Sequence, residues 1–122
     1  MPIVDVEVVV SPPGLLPADL AERLADALGE VFGAEPGHVW LRLRVLPQAR
    51  YAENATMVGG AELPVFVDLL LADPPSGDAR ARQAAAVAVA VAQTCGRAAE
   101  RVHIVYAPAA AGRIAFGGVL LT

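Results

Sequence analysis

Residues 2–63 and 64–122 read as two copies of one plan, and this internal repeat limits the chain to few folds. Asp5 and Asp68, Gly33 and Gly96, and Val39 and Val102 each stand 63 residues apart. Double prolines, Pro12-Pro13 and Pro74-Pro75, end the first apolar run of each half. Met57-Val58-Gly59-Gly60-Ala61-Glu62-Leu63 and Ala115-Phe116-Gly117-Gly118-Val119-Leu120-Leu121 close the two halves on similar phrases. Whatever one half folds into, the other is expected to repeat.

Each half begins with a β-branched strand. Ile3 to Val10 puts Val4, Val6, Val8 and Val10 on one face and Asp5 and Glu7 on the other, because strand side chains alternate. From about Pro17, Leu20, Leu24, Leu28, Val31 and Phe32 recur at helical spacing, and Gly33 follows as a C-terminal cap. Pro36-Gly37 turns the chain into a second strand, His38 to Leu46, with Leu41, Leu43 and Val45 towards the helix and Trp40, Arg42 and Arg44 away from it. Pro47 to Leu63 is a connector expected to hold a short hairpin. The second half reads as a strand from Pro64 to Leu71, a helix from about Ala79 to Cys95 with Asp78 as N-cap, and a strand from Arg101 to Ala107. Its tail, Pro108 to Thr122, contains Gly117-Gly118. Val87, Val89 and Val91 alternate with alanines as a strand would. The alanine content, the length and Gly96 at the end favour a helix instead.

Strand-helix-strand twice predicts an α+β fold in a single domain, residues 1–122. A four-stranded mixed sheet carries both helices on one face, and each half holds its strands parallel through a right-handed crossover. The opposite face then carries Trp40, Arg42, Arg44 and, by the 63-residue offset, His103. Hydrophobic residues make up 56% of the chain and mean hydropathy is +0.52. The longest apolar stretch, Ala84 to Ala92, falls well short of the ~20 residues that span a bilayer. So the apolar excess points to subunit contact, with one copy covering the open face of another, rather than to a membrane. The start of the chain lacks the basic segment of a secretory leader, and a cytoplasmic location is expected.

Charge excludes further classes. Net charge is −4, all nine basic residues are arginine, and none form a cluster, which argues against a nucleic-acid partner. One cysteine, Cys95, and two histidines offer no metal site, and no cofactor is expected. Arginine suits bidentate recognition of carboxylates.

Pro2, a β-branched first strand and a repeated βαβ half closed by Gly-Gly together resemble the tautomerase superfamily. That group includes 4-oxalocrotonate tautomerase, 5-carboxymethyl-2-hydroxymuconate isomerase, malonate semialdehyde decarboxylase and macrophage migration inhibitory factor. Pro2-Ile3 opens as in the short tautomerases. Arg42-Leu43-Arg44-Val45 and Arg82-Gln83 look like segments of the hydroxymuconate isomerase, and Arg101-Val102-His103-Ile104-Val105-Tyr106 is similar to the last-strand segment of the migration inhibitory factor. That factor's active-site lysine falls near Ala34 and its active-site tyrosine on His103.

The resemblance implies a homotrimer with sites at subunit edges and, once Met1 is removed, an amino-terminal Pro2 acting as general base or acid. An α-amino group titrates near ~8; burial and neighbouring arginines lower that value towards neutrality, where a base moves protons next to a carbonyl well. Arg42 or Arg44 would hold the carboxylate of a small enol or keto substrate, with Arg80, Arg82 and His103 as further contacts. Arg42 and Arg44 could equally form ion pairs with Asp5, Glu7 or Asp68. Three alternatives accompany isomerase-type proton transfer: a related decarboxylase or dehalogenase, a non-catalytic trimeric binding protein of the same fold, and a ferredoxin-like regulatory module. The last would pair its strands antiparallel.

Overall fold

A computed structural model describes residues 2–122. Met1, on whose removal the expected chemistry depends, lies outside the described residues. The chain runs β1 (Ile3–Val10), α1 (Leu20–Phe32), β2 (Trp40–Pro47), β3 (Val65–Leu70), α2 (Gly77–Cys95), β4 (Val102–Tyr106) and a two-stranded hairpin, β5 (Ala115–Phe116) with β6 (Val119–Leu120). The four long strands form one sheet in the order β2-β1-β3-β4. β1 and β2 are parallel, as are β3 and β4, while the two halves meet antiparallel where Asp5 opposes Asp68. These parallel pairs rule out the ferredoxin-like alternative.

Alternation along β1 and β3 builds the core. Val4, Val6, Val8, Val65, Val67 and Leu69 are buried on the helix face, where Leu20, Leu24 and Leu28 of α1 and Val87 and Val91 of α2 meet them. The four-residue spacing of Val87 and Val91 resolves the ambiguous valine-alanine run. A strand would have buried Val89 with them; the helix turns it out, 47% exposed. Gly33 and Gly96 close both helices in the left-handed conformation, at φ 61° and 69°, which glycine adopts without steric cost.

Four local expectations are corrected. α1 begins at Leu20 rather than near Pro17, since residues 17–19 form a turn whose Pro17 carbonyl accepts from the Leu20 N–H. Asp78 is not the cap of α2: the helix starts at Gly77, and Asp78 lies inside its first turn, where a carboxylate favours the helix dipole. Val45 is exposed, outside the core against which Leu41 and Leu43 of the same strand pack. The Gly-Gly phrases also differ. Gly117-Gly118 turns a true hairpin, whereas Gly59-Gly60 leads into a 3-10 turn, Gly60–Glu62, and the first connector holds only one antiparallel bridge, Glu53 with Thr56.

Topology decides what surrounds Pro2. A right-handed crossover carries the chain from the end of β1, through α1, back to the start of β1, so the turn after α1 abuts the chain's beginning. Because β3 runs antiparallel to β1, its last residues lie at this same end, and so do the first turn of α2 and the tail after β4. No helix among the described residues is long and apolar enough to cross a membrane.

Candidate functional site

Pro2 is half-buried at the entry to β1, and its carbonyl accepts a 3.0 Å hydrogen bond from the Trp40 N–H. It lines a cleft of about 470 Å³ together with Phe32, Gly33, Ala34, Glu35 and His38. Two ionisable side chains therefore stand beside Pro2, and both come from the turn after α1. Glu35-Pro36-Gly37-His38 is a tight turn in which the His38 N–H donates to the Glu35 carbonyl at 3.0 Å. Proline at its second position fixes φ, and Gly37 at φ 78° supplies the positive dihedral that the third position of a type II turn requires. Neither Glu35 nor His38 was picked out as a site residue from sequence. The signal was present in the parallel crossover, which returns residues 33–38 to the strand entrance.

Another groove, about 490 Å³, runs between α1 and α2 along Ala27, Val31, Ala86, Val89 and Ala90. Its single ionisable side chain is Glu30, and Pro2 is not part of its lining.

The arginines expected as substrate contacts lie elsewhere within the protomer. Arg42 is on the open face of the sheet and grips its parallel neighbour Asp5 with both arms, Nε to Oδ1 at 2.6 Å and Nη2 to Oδ2 at 2.9 Å. That bond, with the attraction of the same carboxylate, raises the Arg42 pKa above its ordinary value. Arg44 shares this face in register with Glu7, without an ion pair to it among the described residues. His103 lies at the other end of the same row, Arg44–Glu7–Phe66–His103, three strand spacings or ~14 Å from Arg44. Its ring packs against Phe66 with centroids 5.6 Å apart.

Arg80 is on the helix side, at the Pro2 end. Its Nε donates to the Pro75 carbonyl at 2.6 Å, and its guanidinium lies 5.3 Å from the centre of the Tyr106 ring. Tyr106 in turn donates to Gln83 at 2.7 Å, and burial raises its phenol pKa. By strand spacing, Tyr106 sits ~10 Å across the sheet from β1. Arg82, exposed in the second turn of α2, takes part in no described ion pair. One protomer thus brings Pro2 together with Glu35 and His38, and keeps Arg42, Arg44 and His103 on the opposite face.

Aromatic side chains edge the Pro2 end on the open face. Trp40, 44% exposed, meets Phe116 of the terminal hairpin edge-on, with ring centroids 5.3 Å apart. The Trp40 indole N–H donates to the Gly37 carbonyl at 3.0 Å, tying the Glu35–His38 turn to β2. No group of three or more His, Cys, Asp or Glu side chains among the described residues is placed to hold a metal. Cys95 is half-buried, and burial pushes its thiol pKa up, which leaves it a poor nucleophile.

No protein-family model and no curated protein matches the sequence. Solved structures do match in shape over nearly the whole chain. A fused 4-OT, described as a wild-type symmetric trimer, superposes with a TM-score of 0.75 at 21% identity, covering 98% of this chain and 94% of that one. A macrophage migration inhibitory factor homologue from Prochlorococcus marinus gives 0.69 at 19% identity, with 98% and 99% covered. FG41 malonate semialdehyde decarboxylase, solved as inhibited by 3-bromopropiolate, gives 0.69 at 16% identity, with 94% and 88% covered. This chain therefore has the fold shared by the 4-OT, migration inhibitory factor and malonate semialdehyde decarboxylase structures.

Proposed function

We propose that this protein, once Met1 is removed, catalyses isomerase-type proton transfer on a small carboxylated enol or keto compound, with the Pro2 amine as general base. The observation that carries this reading is the cleft in which Pro2 meets Glu35 and His38 beneath the end of α1. A secondary amine in a partly apolar recess, walled by Phe32, favours its neutral form and so accepts a proton near neutral pH. Taking a proton from an enol oxygen and returning it to carbon needs one such base and a group that steadies the developing charge. The likeness in fold to a tautomerase and a decarboxylase supports catalysis in general, and leaves the related decarboxylase and dehalogenase reactions as variants of the same site.

We also propose a homotrimer as the working form. The open face exposes Trp40 and Val105, the latter by 60%, and edge strand β2 exposes Val45. A second copy of the chain would cover these apolar side chains. In such an assembly Arg44 and His103 would be supplied to a neighbour's Pro2 from the open face. Arg42, already paired with Asp5, would have to exchange partners to do the same.

The test is ketonisation of phenylenolpyruvate or 2-hydroxymuconate by protein whose amino-terminal mass confirms a free Pro2. Turnover that vanishes when methionine is retained is expected. A processed protein that leaves a broad panel of enols and keto acids unchanged would overturn the proposal in favour of a non-catalytic binding protein.

A further inference from the structure

We infer that Arg113 holds the substrate carboxylate, in a small apolar pocket that the tail of the chain closes beside its own Pro2. The inference rests on the proposed proton transfer at Pro2, and goes beyond it by naming a carboxylate contact from the same chain. The pocket, about 250 Å³, is lined by Leu70, Ala107, Pro108, Ala110, Ile114 and Arg113, its single ionisable side chain. Ligand pockets commonly hold ~300–1,000 Å³, so this one suits the carboxylate end of a substrate rather than the whole of it.

The path of the tail puts Arg113 near Pro2. The Ala110 and Ala111 N–H groups donate to the Leu71 and Ala72 carbonyls at 2.9 and 3.1 Å, which holds the tail along the side of β3 away from β1. Further on, Phe116 meets Trp40 of β2. Because β1 lies between β2 and β3, residues 111–115 pass across the entry of β1, with Arg113 midway. Trp40, Ile3 and Leu70 form one cross-strand row on the open face under this crossing, and Pro2 immediately precedes Ile3. Every step of this path lies within one chain, so the nearness of Arg113 to Pro2 does not depend on how copies meet.

The Arg113 N–H donates to the Ala110 carbonyl at 2.8 Å, which sets its backbone and leaves its side chain to move. That side chain is exposed and takes part in no described ion pair, so it can close on an anion. Arg42 and Arg80 are already engaged, by Asp5 and by the Pro75 carbonyl. Arg44 stands four residues along β2 from Trp40, ~13 Å from the Pro2 end of its own chain. In the proposed trimer a neighbour's Arg44 and His103 add to the site from the open face. They would serve the carbonyl of the substrate, while Arg113 takes the carboxylate and Leu70 and Ile114 exclude water from the pair.

The test is kcat/KM of the assembled, Met1-free protein for phenylenolpyruvate and for its methyl ester. Arg113→Ala should lower the value for the acid about tenfold or more, chiefly through KM, and leave the ester within about twofold; Arg113→Lys should recover part of the loss. Trimers refolded from a mixture of Arg113→Ala chains and chains whose Pro2 is blocked by a retained methionine should stay as slow as Arg113→Ala alone. Each free Pro2 in them lacks the Arg113 of its own chain. An unchanged rate for the acid, an equal loss for acid and ester, or recovery in the mixed trimers would each overturn the inference. Binding of 2-oxohexanoate, read by calorimetry, separates it from the reading it rests on. Binding that needs Arg113 without turnover of either enol would sink the proton-transfer proposal and leave the carboxylate contact standing. Enol turnover with acid binding indifferent to Arg113→Ala would sink this inference alone.

Discussion

The two ends of the sheet are built from the same repeated segments, yet one is tied shut and the other left open. At the far end, where β1 finishes and β3 and β4 begin, Arg97 donates to the backbone carbonyls of Leu63 and Val9. Arg101 donates to the Glu62 carbonyl and pairs with Glu53 at 2.7 Å, and Glu53 also accepts from Tyr51 at 2.6 Å. Tyr51 in turn lies against Phe66 on the sheet, with centroids 6.0 Å apart. The first connector is thereby folded over the open face, and Val9, on that face, is fully buried. At the Pro2 end the corresponding closing segment is the β5–β6 hairpin, which meets the first half through Trp40 and Phe116 and leaves Val119 73% exposed. Arginine does structural work at one end, while a proline, a glutamate and a histidine line a cleft at the other. Stability and the candidate chemistry are therefore separable along the strand direction.

Substitutions at each end sharpen this contrast. The largest effect is expected from Leu63→Ala, which empties a fully buried position under the first connector and should cost about 2–5 kcal/mol in a urea unfolding curve. Arg97→Ala follows, leaving two backbone carbonyls without their charged donor, at roughly 2 kcal/mol. A loss too small to measure there would mean that the arginine is not what holds the halves together.

Acid should loosen the same end. Bonds from Tyr51 and then Arg101 hold the Glu53 pKa below its ordinary value of 4.5. A depressed carboxylate stabilises the fold above its unfolded pKa and loses that contribution as pH falls through the folded one. Tm should therefore drop below about pH 4.5 more steeply in the parent than in Glu53→Gln. Identical acid slopes would remove the network from the account. Smallest of all, Glu35→Gln and His38→Ala should change stability by no more than about 0.5 kcal/mol, since both side chains are exposed and make no described side-chain bond. A large destabilisation would make the turn a structural element rather than part of a site.

Much of the fold was legible because burial writes itself into periodicity. Val4, Val6 and Val8 announce the core face of β1, and Gly33 and Gly96 mark both helix ends. The doubtful valine-alanine segment was decided by length and alanine content, which agrees with the burial of Val87 and Val91. Val9 could not be read the same way. Its burial depends on a connector folding back through Arg97, Arg101 and Glu53, contacts that span up to 88 residues. The open-face placement of Arg42, Arg44 and His103 followed from alternation, but whether an arginine is spent depends on its cross-strand partner. Asp5 lies beside Arg42 only once the β1–β2 register is known. His38 was hidden for a similar reason. As a lone histidine at the start of a strand it carried no pattern, and only the crossover brings it to Pro2.

The central claim is that Pro2 carries a free amine that titrates as a catalytic base. The direct measurement is a pH titration of protein labelled with 15N-proline, following the Pro2 nitrogen by NMR alongside the pH dependence of enol ketonisation. The expected result is a secondary amine whose pKa lies below the ~8 of an ordinary α-amino group, with activity lost through the same ionisation as pH falls and the amine takes up its proton. A Pro2 nitrogen that behaves as an amide across the whole range, or an amine whose titration leaves the rate unchanged, would contradict it.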